Sequence, residues 1–149
     1  MKSFAVSGLD EGILDAIKEL GFEDPTPIQA KTIPHLLSSK QDLIATAQTG
    51  TGKTAAFGLP AIQLTDVDDQ SPQTLVLCPT RELCLQIASD LTKYSKYQRG
   101  IGIVAVYGGA SIVPQMKALS RAAQIVVATP GRCKDLINRK KLQIGRAHV

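Results

Sequence analysis

Two periodicities of apolar and polar residues run through the chain. A helix ending at Gly21 is predicted by apolar side chains that recur every three or four residues, at Leu9, Ile13, Ala16, Ile17 and Leu20. Four other runs are short and apolar throughout, which is typical of buried strands: DLIAT (42–46), TLVLC (74–78), GIVAVYG (102–108) and QIVVAT (124–129). Further helical patterns separate these runs, with Thr26 and Thr80 placed as N-caps.

The alternation of helices with short apolar strands predicts an α/β fold, a parallel sheet covered by helices on both faces. Ligands of such sheets bind at the carboxyl ends of the strands. Three clusters rich in glycine, proline and threonine follow predicted strands: AQTGTGKT (47–54), PTREL (79–83) and TPGR (129–132). We therefore expect these clusters at one edge of the sheet.

Length and composition fit a single globular domain of 149 residues. No apolar run approaches the roughly 20 residues that span a bilayer, and the first residues lack the apolar segment of a signal peptide. The three cysteines, Cys78, Cys84 and Cys133, are too few and too scattered for a disulfide framework or a zinc site. We expect reduced core thiols in a cytoplasmic protein without membrane contact.

The net charge of +4 conceals an uneven distribution along the chain. Residues 1–92 contain 6 Lys and Arg against 12 Asp and Glu, whereas residues 93–149 contain 11 Lys and Arg and a single acid, Asp135. The basic second part indicates a polyanionic partner. A solvated, lysine-rich surface explains the same charges without a partner.

The cluster AQTGTGKT has the composition of a phosphate-binding loop. Gly50 and Gly52 allow backbone N–H groups to converge on an anion, and the following helix adds its N-terminus. Lys53 can reach the β- and γ-phosphates of a nucleotide, and the Thr54 hydroxyl can bind Mg²⁺. Ala47 stands where the usual pattern has its first glycine. The alternative is a glycine-rich turn with an exposed lysine.

Two residues upstream could select the base. The Gln29 carboxamide offers one acceptor and one donor face to the N6 and N7 edge of adenine, and Phe22 could stack on the ring. Spacing alone favours a different interpretation, a capping box between Thr26 and Gln29 with Phe22 as a hydrophobic staple.

In their order along the chain, these segments resemble the DEAD-box family of ATP-dependent RNA helicases. GFEDPTPIQ (21–29), with Phe4 upstream, resembles the adenine-sensing Q motif, and AQTGTGKT resembles the family's Walker A loop, in which alanine is usual at the first position. PTREL, the Gly108–Gly109 pair and TPGR resemble its RNA-contacting segments. The resemblance implies a RecA-like P-loop NTPase domain.

The resemblance also implies roles for particular residues, with ATP and Mg²⁺ as cofactors and RNA as partner. Lys53 and Thr54 would be catalytic, and Thr54 would bind the metal. The nucleotide would contact Phe4, Phe22, Thr26, Gln29, Gln48, Thr49, Gly50, Thr51, Gly52, Lys53 and Thr54. RNA would contact Pro79, Thr80, Arg81, Gly108, Gly109, Thr129, Pro130, Gly131 and Arg132. We expect a monomer at full length and largely sequence-independent RNA contacts.

The predicted domain, residues 1–143, is an incomplete first RecA-like domain, because the family's carboxylate motif does not follow TPGR. Residues 144–149, IGRAHV, lack strand alternation, and we interpret them as a non-native tail. The 149 residues alone are expected to be inactive and poorly soluble. Two other functions stay open: a non-catalytic nucleic-acid-binding module that uses the basic part, and a small P-loop phosphotransferase, whose base lid and Walker B carboxylate we do not find.

Overall fold

The computed structural model describes residues 2–145, which divide into two compact units. The first unit extends to Leu64 and includes Lys93–Gln98. The second unit contains Thr65–Thr92 and the residues from Arg99 onward.

The first unit is helical. A 3₁₀ turn at Phe4–Val6 precedes three helices: α1 (Glu11–Glu19), α2 (Pro27–Ser38) and α3 (Lys53–Gln63). Because the apolar residues of α1 recur at helical spacing, they form one stripe, and Ile13 and Ile17 are fully buried. Helices α2 and α3 pack against each other, with Ile33 and Leu59 fully buried. These helices confirm the elements predicted from the sequence.

The second unit is a parallel three-stranded sheet flanked by helices. Its elements are β1 (Thr74–Leu77), α4 (Arg81–Tyr94, whose last two residues belong to the first unit), β2 (Ile103–Val106), α5 (Ile112–Leu119), β3 (Ile125–Ala128) and α6 (Pro130–Asn138). The strand order is β1-β3-β2, so β3 is central and all four of its residues are buried. This burial explains why its sequence, IVVA, is apolar without alternation.

Register in this sheet aligns the ends of all three strands. Leu77 and Val106 both pair with Ala128, the last residue of β3. A core formed by Leu75, Val104, Val126, Leu136 and neighbouring apolar residues fixes this register. The segments that leave the strands after these three residues therefore begin at the same edge.

The strand predicted at DLIAT (42–46) does not form, so that prediction was wrong. Residues 41–46 are all exposed, and the Ile44 side chain is 95% accessible to solvent. A strand forms only when a neighbour satisfies its backbone groups, and within residues 2–145 this segment belongs to no ladder. AQTGTGKT consequently does not follow a strand of the sheet, contrary to expectation, whereas PTREL and TPGR do.

The three cysteines are free and buried, as predicted. Among residues 2–145, no helix combines the length and the apolar character needed to cross a bilayer. Of the segment interpreted as a tail, Ile144 packs against the core of the second unit. Residues 146–149 lie outside the described part of the chain.

Candidate functional site

The glycine loop of the first unit has the backbone that a phosphate site requires. Gly50 and Gly52 have φ values of 80° and 81°, and Gly52 is the N-cap of α3. A Cβ atom at residue 52 would overlap Nε2 of Gln29. Only glycine combines this left-handed conformation with such close approach, which explains the residue type at this position.

Lys53 lies at the first position of α3, beside the loop. Its Nζ donates a hydrogen bond to the Ala47 carbonyl oxygen at 2.7 Å, and the Thr51 hydroxyl donates to the Gln48 carbonyl oxygen at 2.6 Å. The N–H groups in the first turn of α3 have no partner within the helix, so they can bind an anion. An exposed ammonium group beside free helix donors fits a phosphate chain.

A magnesium ion would find one candidate protein ligand in this loop. Thr54 is half-buried at the second position of α3, where a hydroxyl can bind Mg²⁺ next to a nucleotide phosphate. In the part of the chain that the structure describes, no group of three or more His, Cys, Asp and Glu side chains is arranged as a metal site.

The Q-motif residues are hydrogen-bonded directly to the glycine loop. The Thr26 hydroxyl donates to the Thr51 carbonyl oxygen at 2.8 Å, and Gln29 Nε2 donates to the Gly52 carbonyl oxygen at 3.1 Å. Gln29 Oε1 accepts from the Thr26 backbone N–H at 3.0 Å, which is the return bond of a capping box. The return half of the predicted capping box is therefore present, whereas the Thr26 hydroxyl is directed to Thr51, and adenine contact stays a prediction. Each polar atom of this buried carboxamide retains one further hydrogen-bonding position.

Phe22 packs in an aromatic cluster with Phe4 and Tyr94. The ring centroids of Phe4 and Phe22 are 6.2 Å apart, and the Tyr94 ring meets Phe22 edge-on at 5.9 Å. Both phenylalanines line an open pocket of about 320 Å³ whose lining residues do not include the glycine loop. Residue N′ of α2 is Pro25, so Phe22 does not occupy the staple position.

In the second unit, the predicted RNA-contacting segments leave the sheet at one edge. PTREL follows β1, Gly108–Gly109 follows β2 and TPGR follows β3. The Arg81 guanidinium lies over the Tyr107 ring, 5.1 Å from its centroid, and a Cβ at Gly109 would lie 3.9 Å from Arg81 Nη1. The first two segments therefore meet at the Arg81 side chain.

Arg132 joins the third segment to the second. Its Nη2 donates to the Ala110 carbonyl oxygen at 3.0 Å, and its Nη1 donates to Gln115 Oε1 at 3.0 Å. Two of its five N–H groups are used in this way within the described part of the chain. Thr80 caps α4, because its Oγ1 accepts from the Leu83 N–H at 3.2 Å, as predicted from the sequence.

The sequence did not identify Gln115 and Tyr107 as residues that contact the predicted RNA-binding segments. Gln115 is buried on α5, where the apolar stripe contains Ile112, Met116 and Leu119. A glutamine within such a stripe is a signal for a buried polar contact, because an unpaired carboxamide in a core is unfavourable. Tyr107 carries no comparable signal, since tyrosine after a strand is common packing.

Comparison with known proteins gives a consistent result. The family model described as DEAD/DEAH box helicase matches residues 26–148. The chain is 49% identical over 144 residues to the ATP-dependent RNA helicase DeaD of Escherichia coli K12, covering 97% of this chain and 23% of that protein. It is 48% identical to the DEAD-box ATP-dependent RNA helicase CshA of Bacillus cereus, covering 97% and 27%.

Solved structures of similar proteins have the same fold as this chain. A DEAD box protein from Methanococcus jannaschii superimposes with a TM-score of 0.92 at 41% identity, over 99% of this chain and 40% of that one. A Saccharomyces cerevisiae Dbp5 variant bound to RNA and ADP BeF3 gives 0.88 at 33% identity, over 99% and 37%. The predicted α/β, RecA-like fold is confirmed. The chain spans about a quarter of the length of the named relatives it matches.

Proposed function

The chain belongs to the DEAD/DEAH box helicase family, and we propose that it supplies the ATP-binding surface and part of the RNA-binding surface of an ATP-dependent RNA helicase. In the full-length protein, ATP binding and hydrolysis would be coupled to local separation of RNA duplexes. Two of the relatives, DeaD and CshA, are named as ATP-dependent RNA helicases.

The observation that carries the proposal is the hydrogen-bonded junction between Thr26, Gln29 and the glycine loop. Groups suited to a base are fixed to groups suited to its phosphates, as a nucleotide site requires. A non-catalytic RNA-binding module has no need of this junction. A small phosphotransferase has no need of three segments at one sheet edge that each present glycine or arginine.

Each residue of the loop has a definite task in this proposal. Lys53 would exchange its bond to the Ala47 carbonyl for contacts with the β- and γ-phosphates. Thr54 would hold Mg²⁺, and the first-turn N–H groups of α3 would bind phosphate oxygens. Magnesium supplies neutralisation of the charge that develops on the transferred phosphoryl group.

RNA would be held by its backbone. Arg81 and Arg132 offer guanidinium donors, and the glycine turns offer backbone N–H groups, which suit phosphate and sugar rather than base edges. RNA affinity would therefore depend weakly on sequence and strongly on salt.

We expect the 149 residues alone to bind nucleotide without appreciable hydrolysis, because their sequence contains no DExD motif to place the metal and water. The three buried, free thiols are typical of a reducing compartment, which supports a cytoplasmic location. We further propose that the full-length protein acts as a monomer.

Crosslinking of radiolabelled ATP to the protein at its full natural length tests the nucleotide site. Lys53→Ala is expected to reduce labelling at least tenfold because the ammonium contact to the phosphates is lost. Lys40→Ala, which removes an exposed lysine outside the loop, serves as the control. Persistent labelling of Lys53→Ala would exclude the P-loop site.

The base preference is tested by comparing ATP and GTP affinity in Gln29→Ala and Gln29→Glu. The glutamate keeps the acceptor of the Thr26 N–H but lacks the amide nitrogen, which donates to the Gly52 carbonyl and has the second N–H that adenine would need, so it tests the amide donor apart from the Thr26 contact. We expect both variants to lose the preference for ATP. A preference that survives in Gln29→Glu would remove the adenine assignment.

A further inference from the structure

Gln115 is a buried carboxamide that makes three hydrogen bonds at the carboxyl edge of the sheet. Its side chain is 7% exposed. Oε1 accepts from the Tyr107 backbone N–H at 3.2 Å, and Nε2 donates to the Tyr107 carbonyl oxygen at 3.1 Å. The same Oε1 accepts from Arg132 Nη1 at 3.0 Å. One side chain thus binds both backbone groups of Tyr107 and the guanidinium of Arg132.

These bonds connect all three segments assigned to RNA. Tyr107 immediately precedes Gly108–Gly109, and its ring lies under Arg81 from the segment after β1. Arg132 belongs to the segment after β3 and also holds the Ala110 carbonyl. Gln115 itself lies on α5 and belongs to none of the three segments.

We infer that Gln115 is a positioning residue for RNA binding. It fixes the backbone before the Gly108–Gly109 turn, and it orients the Arg132 guanidinium toward the phosphates of the bound RNA, which we call the phosphate path. The inference rests on the proposed RNA-binding function. Gln115 would not touch RNA, because its polar atoms are buried and bonded to Tyr107 and Arg132.

The carboxamide suits this task because its oxygen accepts two bonds while its nitrogen donates one. Methionine has a similar length but offers neither strong donor nor strong acceptor, so it would release Tyr107 and Arg132 together. A guanidinium that must be ordered on binding binds more weakly than one already oriented.

Gln124 provides a matched control in the same sheet. It is fully buried, its Oε1 accepts from the Gly102 N–H at 2.7 Å, and its Nε2 donates to the Gly100 carbonyl oxygen at 2.9 Å. Gly102 and Gln124 immediately precede β2 and β3, so this glutamine bridges backbone groups at the amino edge of the sheet. Gln115→Met and Gln124→Met therefore remove similar buried bonds at opposite strand ends.

The experiment measures binding of a short fluorescent single-stranded RNA by the full-length protein, with a non-hydrolysable ATP analogue present. Gln115→Met is expected to raise the RNA Kd about 10-fold and Gln124→Met less than about threefold, with unchanged nucleotide affinity in both. In an Arg132→Ala background, Gln115→Met should raise Kd less than about threefold, because the residue it positions is absent.

Gln115→Glu keeps the oxygen contacts and tests the inference if the methionine variant does not fold. Its carboxylate lacks the donor to the Tyr107 carbonyl oxygen and would repel that oxygen, which releases the backbone before Gly108–Gly109, so the RNA Kd should again rise about 10-fold. An unchanged Kd in Gln115→Glu, equal losses in Gln115→Met and Gln124→Met, or a full effect in the Arg132→Ala background would overturn the inference alone. Failure of the unmodified protein to bind RNA would overturn the proposed RNA function as well.

Discussion

Single residues of the glycine loop are constrained by both backbone conformation and close contacts. Gly50 and Gly52 share a left-handed backbone, but only Gly52 faces another group, the Gln29 amide. A Cβ at residue 50 would meet nothing within 4 Å. Substitutions at the two glycines therefore separate the free-energy cost of a left-handed backbone from the free-energy cost of a steric clash.

Gly52→Ala is expected to destabilise the contact between α2 and α3 more than Gly50→Ala. The left-handed conformation costs about 1 kcal/mol in either variant, and displacement of Gln29 adds about 1–3 kcal/mol at residue 52. Amide hydrogen exchange in α2 and α3 measures the difference. Adding Gln29→Ala should recover part of the loss in Gly52→Ala only; equal exchange rates in the two single variants would contradict the crowding argument.

The buried thiols give the second unit a titratable core. Burial raises the pKa of Cys84 to about 12, with the neighbouring Cys78 thiol adding to the shift. Burial also raises the pKa of Cys78 and of Cys133. Cys84 contacts the carbonyl oxygens of Val127 and Val106 at 3.1 and 3.7 Å, as expected of a protonated thiol donor.

Stability is expected to decrease as the pH rises above about 9. An unfolded chain then loses the Cys84 proton that the folded chain keeps up to about pH 12, so the folded state becomes less favourable by at most about 1.4 kcal/mol per pH unit. Urea unfolding of Cys84→Ala between about pH 8.5 and 10.5 should show a shallower pH dependence. Ile87→Val, three residues further along α4, is the non-titrating control and should keep the original slope.

Among secondary-structure elements, α4 depends on a side-chain cap at its first turn. The Thr80 hydroxyl accepts from the Leu83 N–H, satisfying one donor that the helix cannot satisfy itself. The same threonine belongs to a segment that we propose contacts RNA, and its hydroxyl is used for the cap in this structure.

Thr80→Ala is expected to destabilise the first turn of α4 by about 1 kcal/mol, whereas Thr80→Ser keeps the hydroxyl and should change it little. Hydrogen exchange of the amide groups from Glu82 to Cys84 measures the effect. Equal protection in the alanine and serine variants would show that the cap contributes nothing.

The sequence predicted elements where their causes are local. The helix pattern after Thr26 became α2 because periodicity and capping act within a few residues. The three apolar runs that became strands pair with one another across the sheet, whereas DLIAT has no pairing partner among residues 2–145, and no local pattern specifies which run finds a partner. The contacts of Gln115 were missed for a related reason: its partners, Tyr107 and Arg132, are 8 and 17 residues away.

At the scale of the whole molecule, positive charge is concentrated in the second part of the sequence, where Asp135 is the only acid beyond residue 92. That acid is already paired with Arg139 at 2.9 Å, near the end of α6, whereas Arg132 lies near its beginning. Arg139, just after the end of α6, is thus paired with a carboxylate, whereas Arg132 in the first turn has only the neutral partners Ala110 and Gln115 among the described residues.

Salt dependence of RNA binding is expected to distinguish these two arginines. Removing one phosphate contact in Arg132→Ala should reduce the slope of log K against log salt by about 0.7 and weaken binding to all sequences alike. Arg139→Ala is the control and should leave the slope unchanged. Anisotropy titrations of labelled RNA at several potassium chloride concentrations give both slopes; identical slopes would remove Arg132 from the phosphate path.

The stacking of Arg81 on Tyr107 makes position 107 a suitable site for a spectroscopic probe. The magnetic environment of the ring depends on whether the guanidinium stays above it. Few other aromatic residues would interfere, because the 149 residues contain three tyrosines and no tryptophan. A fluorinated tyrosine incorporated at position 107 would show a change in its ¹⁹F resonance if Arg81 leaves the ring for a ligand. Binding of RNA at the carboxyl ends of the strands could then be followed in real time, without a label on the nucleic acid.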